Sequence, residues 1–214
     1  MAGKGDDMNC RLGRSSIRLG REIYILNSGS VVGKKEGEGP LGFLFDKVGA
    51  DDLFGCDSWE EAESTLQKEA VEYALKKTGM KADDFSFVLA GDLLGQSIAS
   101  SFGLAAFGIP LLGVYGACST CGEALALGSM LISGDYADHV LCVTSSHFAS
   151  AEKEFRYPLE YGNQRPLSAS WTVTGSGAFV LSGNMPEKGQ KARAKISGIT
   201  IGKIVDYGLK DSMN

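Results

Sequence analysis

The chain has 214 residues, 43% of them hydrophobic and 22% charged, which is the composition of a globular chain that folds in water and needs no disulfide staples. Its net charge of −5, from 21 Lys and Arg against 26 Asp and Glu, leaves no basic excess to neutralise phosphates and so excludes nucleic acid as an expected partner. The five cysteines are an odd number, which argues against a disulfide framework and favours a reducing compartment.

The first 21 residues are polar and charged and lack the apolar stretch of a secretory signal. They are interpreted as a lead or edge segment that precedes one domain over residues 22–214. The most apolar stretch, residues 103–118, is broken by Pro110 and by glycines. It falls short of the ~20 apolar residues that cross a bilayer, so no transmembrane segment is predicted.

The first predicted elements of the domain are a strand and a long helix. Residues 22–28 are β-rich and predict a strand, followed by a loop dense in glycine and charge. A helix is predicted over residues 58–78, because apolar residues recur on one helical face there. Asp57 and Glu60 have the spacing of a capping box, and Gly79 would end the helix.

The middle of the chain alternates between apolar strands and helices. Buried strands are predicted over residues 85–94, 111–117 and 139–146, and helices over residues 96–107 and 118–133. The second of these helices has little polar face, as is typical of a helix buried between layers. This alternation predicts an α/β fold with helices flanking a mixed, mostly parallel sheet of five strands.

The pattern changes after residue 146. Residues 147–166 mix aromatic and charged side chains with two prolines, and a connection of this length is more often a lid or a binding loop than an idle link. Residues 170–182 and 194–205 then alternate in hydropathy and are rich in β-branched side chains. They predict two antiparallel edge strands.

The chemically informative residue is Cys118, which a predicted strand delivers to the predicted first turn of a helix. The unpaired N–H groups and the dipole of a helix N-terminus favour a thiolate, and they can also bind an oxyanion or a carboxylate. Gly116 and Ala117 permit a sharp turn there. The alternative is that Cys118 is a small buried hydrophobic residue.

Cys118 and Cys121 also form a CxxC pair, which raises the alternatives of dithiol redox chemistry and metal binding. A structural zinc site needs about four ligands, and the sequence contains neither a second CxxC nor a His pair on one element. No metal and no cofactor are therefore predicted.

Polar residues at the ends of two predicted strands are further candidates for ligand contact. Asp92 lies at the carboxyl end of one strand, and Ser145, Ser146 and His147 lie at the carboxyl end of another, where α/β folds place groups that face ligands. For Asp92 the alternative is a helix cap or an Asx turn. For His147 it is a hydrogen bond to the backbone.

The long loop adds Arg156 and Tyr157 to these candidates. An arginine fork fits a carboxylate, and a tyrosine ring can stack on a flat heteroaromatic ring; a surface ion pair is the alternative for the arginine. Trp171 and Cys142 are interpreted as packed core, and His139 as a solvated turn residue.

Several motifs together resemble a known family. The segments GPLGFLFDK, AGDLL, YGACST, VTSSH, EFRYPLEYG and SWTVTGSGA are similar to those of the stage V sporulation protein AD family of spore-forming bacteria, within the thiolase and ketoacyl-synthase superfamily. The resemblance covers residues 41–205. It implies a thiolase-like fold of which this chain is the N-terminal half, with Cys118 where the superfamily carries its acyl-accepting cysteine.

The resemblance also implies a function. It implies binding of dipicolinic acid (pyridine-2,6-dicarboxylate) or its calcium chelate, and support of its uptake into the developing spore with other stage V sporulation membrane proteins. Such a protein would lie peripherally on the cytoplasmic side of the spore inner membrane, and a homodimer is compatible with it. Catalysis is not expected, because the histidines that activate the superfamily cysteine belong to the second half of the fold. The alternatives are an acyltransferase that carries a thioester on Cys118 and an architectural subunit with a vestigial pocket.

Overall fold

The computed structural model describes residues 8–155, 172–186 and 191–208. The strands in this part of the chain are β1 (Cys10–Leu12), β2 (Ser16–Val32), β3 (Lys47–Val48), β4 (Phe87–Gly91), β5 (Leu111–Gly113), β6 (His139–Ser146), β7 (Gly175–Ser182) and β8 (Ala194–Thr200). The helices are α1 (Lys34–Gly37), α2 (Trp59–Thr78), α3 (Ile98–Leu104), α4 (Thr120–Ser133) and α5 (Phe148–Phe155).

These strands form one sheet in the order β1-β2-β7-β6-β4-β5, with β3 and β8 also paired to β2. Strand β4 pairs in parallel with β5 and β6, and β2 pairs in parallel with β3. The pairs β1·β2, β2·β7, β2·β8 and β6·β7 are antiparallel. The predicted class, a mixed α/β sheet with helices on its faces, is confirmed, but the described sheet has eight strands rather than five and is not mostly parallel.

The central position of β7 accounts for two of the four antiparallel pairs in the described sheet. The sequence predicts an edge strand here, whereas β7 lies between β2 and β6 and is antiparallel to both. Ala178, Val180 and Leu181 are completely buried. Alternating hydropathy does not separate an exposed edge strand from a central strand whose alternate residues are small, and β7 begins Gly-Ser-Gly-Ala.

The polar start of the chain also belongs to the sheet. Strand β2 runs for 17 residues, so the domain boundary suggested at residue 21 falls inside it. Its first part pairs with β1 and β8. Charged residues are tolerated in this part because its side chains are largely exposed or half-buried.

Two hydrophobic cores lie on opposite faces of the sheet, as the period-2 geometry of a strand requires. On one face, Leu141 and Val143 of β6 pack in a core with residues of α2, including Leu66. On the other face, Val140 and Cys142 pack in a core with residues of α4. The molecule is therefore layered as helix, sheet and helix.

Helix α2 confirms the predicted segment with a shift of one residue at its start. Ser58 is the N-cap, and its hydroxyl accepts a hydrogen bond from the N–H of Glu61. Gly79 ends the helix in the left-handed conformation, as predicted. The helix lies so close to β2 that a Cβ at Gly29 would overlap the backbone oxygen of Ala70.

The segment that leads to Cys118 differs from the prediction. In place of a buried strand over residues 111–117, β5 has three exposed residues at the edge of the described sheet. Val114 continues beyond it and donates its N–H to the carbonyl of Ala90. Helix α4 then begins at Thr120, two residues later than predicted.

Candidate functional site

A cavity of about 840 Å³ lies where several strands end. Strands β4 and β6 run in parallel and deliver Leu93, Ser145 and Ser146 to its wall, and the turn after β5 delivers Cys118. Because the C-terminal ends of parallel strands meet at one edge of a sheet, residues far apart in sequence converge here, as α/β folds arrange their ligand sites. The volume lies within the ~300–1,000 Å³ typical of small-molecule pockets.

Residues 116–120 form a tight turn that we call the Cys118 turn. Its polar groups bond one another: the Ser119 hydroxyl donates to the Gly116 carbonyl at 2.7 Å, and the Thr120 hydroxyl donates to the Ala117 carbonyl at 2.8 Å. The N–H of Gly116 donates to Thr120 Oγ1 at 3.0 Å. Ala117 has φ = +47°, a conformation that is unfavourable for a residue with a Cβ. The turn is therefore held by internal hydrogen bonds and has a strained backbone.

Cys118 lies in the short 3-10 turn before α4 rather than in the first turn of the helix. Its side chain is exposed and lines the cavity, whereas the other four cysteines are half-buried or buried. The alternative of a small buried hydrophobic residue is therefore wrong. Cys121 also lines the cavity, and burial raises the pKa of its thiol.

The predicted serine at the end of β6 is also in the cavity wall. Ser146 lines the cavity and donates its hydroxyl to the carbonyl of Val173 at 2.5 Å. Its neighbour Ser145 lines the cavity too, but its hydroxyl donates to a carboxylate oxygen of Glu63 at 2.9 Å. The two serines thus place hydroxyl groups at the edge that Cys118 also faces.

Asp92 is not among the residues that line the cavity, contrary to the prediction of a ligand contact. It is 1% exposed and accepts three hydrogen bonds, from the N–H of Leu94 and from the N–H and hydroxyl of Ser100. The bond to Leu94 is the Asx turn that the sequence left open as the alternative. The carboxylate therefore anchors the start of α3.

His147 is likewise a structural residue rather than a ligand contact. It is completely buried, and its Nε2 lies 2.7 Å from the carbonyl oxygen of Asp52. Its Nδ1 accepts the N–H of Ala149 at 3.2 Å, so Nε2 carries the proton. Burial lowers the pKa of the ring, which matches this neutral form.

The remaining histidine and the strand cysteine lie in the core region. His139 was predicted to be a solvated turn residue, but it is half-buried at the start of β6, with its ring edge against Phe85 and its pKa lowered by burial. Cys142 is packed core as predicted; its thiol donates to the carbonyl of Ala124, and burial raises its pKa.

The predicted ligand contacts Arg156 and Tyr157, and the predicted core residue Trp171, lie outside the described residues. Helix α5 ends at Phe155, and its residue Ala151 lines the cavity.

A buried polar group lies on the α2 side of the cavity, and only two of its residues, Asp92 and Ser145, were identified from the sequence. We call it the carboxylate cluster: Glu63, Gln67, Asp92, Ser100, Ser145 and Ser150. Glu63 Oε2 accepts the hydroxyl of Ser150 at 2.6 Å, and its Oε1 accepts the hydroxyl of Ser145. Burial raises the pKa of Glu63 to about 7, and the nearby negative charge of Asp92 acts in the same direction.

Gln67 links the two carboxylates of the cluster. Its Nε2 donates to Ser145 Oγ at 2.8 Å and to Ser100 Oγ at 3.0 Å. Each serine hydroxyl in turn donates a hydrogen bond to a carboxylate, Ser145 to Glu63 and Ser100 to Asp92. The sequence carried one signal of this arrangement, because Glu63 falls on the same helical face as Leu66 and Ala70, where a charged residue is unexpected.

Within residues 8–155, 172–186 and 191–208, no group of three or more His, Cys, Asp or Glu side chains is placed to hold a metal ion. In the same ranges, no helix combines the length and apolarity needed to cross a membrane.

Comparison with known proteins fits this geometry. The profile of the stage V sporulation protein AD family matches residues 13–214. The chain belongs to this family. Stage V sporulation protein AD of Bacillus subtilis (strain 168) is 43% identical over 189 residues, which are 88% of this chain and 54% of that protein. The chain thus spans about half the length of its relative in this family of sporulation proteins.

Solved structures show the fold of this family member. A fungal type III polyketide synthase, ORAS, matches 79% of the chain and 58% of its own length with a TM-score of 0.55 at 14% identity. The β-ketoacyl-[acyl carrier protein] synthase III of Thermus thermophilus matches 77% of the chain and 52% of its own length with a TM-score of 0.51 at 20% identity. The predicted thiolase-like fold is confirmed.

Proposed function

We propose that this chain binds dipicolinate in the cavity beside Cys118, free or as its calcium chelate, and supports its accumulation in the developing spore together with membrane partners. The observation that carries the proposal is the cavity itself, which has space for a flat ring and presents hydroxyl groups at the end of the sheet. Membership in the stage V sporulation protein AD family supports the sporulation setting.

The cavity walls suit the two parts of this ligand. Val32, Phe45 and Leu93 offer apolar surface for the pyridine ring. The thiol of Cys118 can donate to one carboxylate, and so can the hydroxyl of Ser146 once it turns away from the carbonyl of Val173. Arg156 follows α5 in the sequence and is proposed to pair with the second carboxylate.

Glu36 is a separate reason to propose the calcium chelate as the ligand. This carboxylate lines the cavity and accepts the N–H of Thr174 at 3.1 Å. It would repel a free dianion, whereas carboxylate oxygens are preferred ligands of Ca²⁺. We therefore propose that Glu36 favours the neutral one-to-one chelate over the free acid.

Isothermal titration of the purified chain with dipicolinate and with its calcium chelate tests the proposal. Filling the cavity with Cys118→Trp should abolish binding, whereas Cys10→Trp, at a half-buried cysteine of β1, should leave it intact. Glu36→Gln should weaken the chelate relative to the free acid. Equal affinity of the Cys118→Trp variant and the unmodified chain would place the ligand elsewhere.

An acyltransferase is the second candidate, because the one exposed thiol among the five cysteines stands on a strained turn in a fold shared with ketosynthases. An activated thiol normally needs a neighbouring base. Both ring nitrogens of His147 are engaged with the backbone, and His139 begins β6 at the end away from the cavity. Acyl transfer would therefore need a base other than these two histidines. Mass spectrometry of an acyl adduct on Cys118 after incubation with acyl-CoA would favour it.

A further inference from the structure

The carboxylate cluster touches the cavity at one residue, Ser145. Its hydroxyl accepts one hydrogen bond from Gln67 and donates one to Glu63, and the residue is part of the cavity wall. A serine hydroxyl has a single proton. While that proton points at Glu63, Ser145 offers the cavity only a lone pair, which is a poor partner for a carboxylate ligand.

The protonation state of Glu63 decides how firmly that proton is held. An ionised Glu63 binds the Ser145 hydroxyl in a charge-assisted hydrogen bond, about twice as strong as a neutral one, and its charge repels an incoming carboxylate. A protonated Glu63 is a weaker acceptor and carries no charge. The Ser145 hydroxyl can then rotate toward a carboxylate in the cavity.

Ser150 supplies what a protonated Glu63 requires. Its Oγ lies 2.6 Å from Glu63 Oε2 and 3.2 Å from the carbonyl oxygen of His147. When Oε2 carries a proton, the carboxyl O–H donates to Ser150 Oγ, and the Ser150 hydroxyl turns to that carbonyl. No buried donor is left without an acceptor, so the cluster accommodates both states of Glu63.

We infer that Glu63 is a positioning residue that couples the binding of a carboxylate in the cavity to the uptake of one proton, through the hydroxyl of Ser145. The inference rests on the proposed function, and it goes beyond it by naming a proton as a co-ligand. In the bound state Glu63 is protonated, Ser150 accepts its proton in a hydrogen bond, and Ser145 donates to the ligand.

The groups around Glu63 set the pH range in which its carboxyl titrates. From the loop after β4, the N–H of Leu93 donates to Glu63 and the charge of Asp92 acts on it. From β6 and α5, Ser145 and Ser150 face it. His147, between them, has both ring nitrogens bonded to the backbone. Burial raises the pKa of Glu63 more than its hydrogen-bond donors lower it, so the pKa is about 7. The proposed coupling therefore changes ligand affinity near neutral pH.

Isothermal titration with free dipicolinate between pH 6 and 8.5 tests the inference. Ordinary carboxyl pKa values lie near 4, so the ligand stays ionised over this range. The affinity of the unmodified chain should fall by up to about tenfold per pH unit above pH 7. Titrations at pH 8 in two buffers of different ionisation enthalpy should show the uptake of about one proton per ligand bound.

Glu63→Gln separates coupling from a merely structural role. Its amide mimics the protonated carboxyl, so this variant should bind more tightly than the unmodified chain at pH 8, with no pH slope and no proton uptake. Ser145→Ala should bind more weakly at pH 6 and with a shallower slope. Glu72→Gln, the same change at an exposed position of α2, should behave like the unmodified chain.

The outcomes distinguish this inference from the function on which it rests. Binding with a flat pH profile and no proton uptake overturns the coupling and leaves dipicolinate binding in place. A Glu63→Gln variant with the slope of the unmodified chain also overturns it. An unmodified chain that binds neither free dipicolinate nor its calcium chelate at any pH overturns both. The profile and proton count of the unmodified chain decide the question even if the variant does not fold.

Discussion

On the α4 side of the sheet, the cavity ends at an exposed thiol on a strained turn. On the α2 side it ends at Ser145, behind which buried carboxylates accept hydrogen bonds from serines and backbone N–H groups. The Cys118 turn is open and its hydrogen bonds are local. The carboxylate cluster joins α2, α3, β6 and α5. We call the side with the Cys118 turn the contact side, because its thiol is open to a ligand, and the side with the carboxylate cluster the support side, because its hydrogen bonds hold the fold together. Mutations on the two sides should have different effects.

The largest expected effect breaks the support side. Asp92→Ala leaves three buried donors without their acceptor, and each such loss costs about 1–3 kcal/mol. We expect the free energy of unfolding to fall by about 3–5 kcal/mol in urea titrations. Asp83→Ala, at an exposed aspartate, should change it by less than about 0.5 kcal/mol. A similar small loss for Asp92→Ala would contradict the anchoring role.

The pH dependence of the free energy of unfolding tests the support side at Glu63. The pKa of Glu63 is raised from 4.5 to about 7 in the folded chain, so the folded state holds a proton that the unfolded state releases between these values. The associated stability is complete below pH 4.5 and is lost as the pH rises through 7. At about 1.4 kcal/mol per pKa unit, this corresponds to about 3 kcal/mol.

Urea unfolding at pH 4.5 and pH 8 measures this loss. Glu63→Gln has no proton to release, so its stability should fall by about 3 kcal/mol less than that of the unmodified chain over the same interval. Glu72→Gln provides the control for an exposed carboxylate on α2. Parallel pH profiles for Glu63→Gln and the unmodified chain would show that the Glu63 carboxyl does not titrate near neutral pH.

A smaller effect is expected on the contact side. Ala117→Gly removes the Cβ that opposes the positive φ of the Cys118 turn, so we expect it to raise the free energy of unfolding by about 0.5–1 kcal/mol. Ala126→Gly, within α4, should lower it by about 1 kcal/mol. If both variants are destabilised equally, the turn is not strained.

The smallest effect on stability is expected for Cys118 itself. Cys118→Ala should change the free energy of unfolding by less than about 0.5 kcal/mol, because its exposed side chain fills no core space. Cys142→Ala, in the core, should cost about 1 kcal/mol. Iodoacetamide should modify Cys118 before Cys121, whose thiol pKa is raised by burial. Modification of Cys121 first would contradict the exposure of the Cys118 turn.

The sequence predicted those parts of the fold and site that depend on local pattern. Apolar runs located β4 and β6, the helical face and Gly79 located α2, and the strand-to-helix junction located Cys118. The sequence did not predict the positions of strands that depend on their pairing partners, such as the central position of β7 and the exposed edge position of β5. Local periodicity does not reveal which strands a segment pairs with.

The site residues divide along the same line. Asp92 and His147 were placed at the correct strand ends, but their buried partners, Ser100 and the Asp52 carbonyl, come from other segments. A strand end identifies which residues are near a cavity and not which of them are already bonded. Glu63 was missed because its meaning depends on Ser145 and Ser150, more than 80 positions away in the chain.

A crystal structure of the chain with dipicolinate tests the central claim most directly. The account predicts the pyridine ring between Leu93 and the Cys118 turn, with one carboxylate within hydrogen-bond distance of Ser145 or Ser146. A ligand bound outside this cavity, or a Cys118 sulfur sealed by packed side chains with no space beside it, would contradict the account.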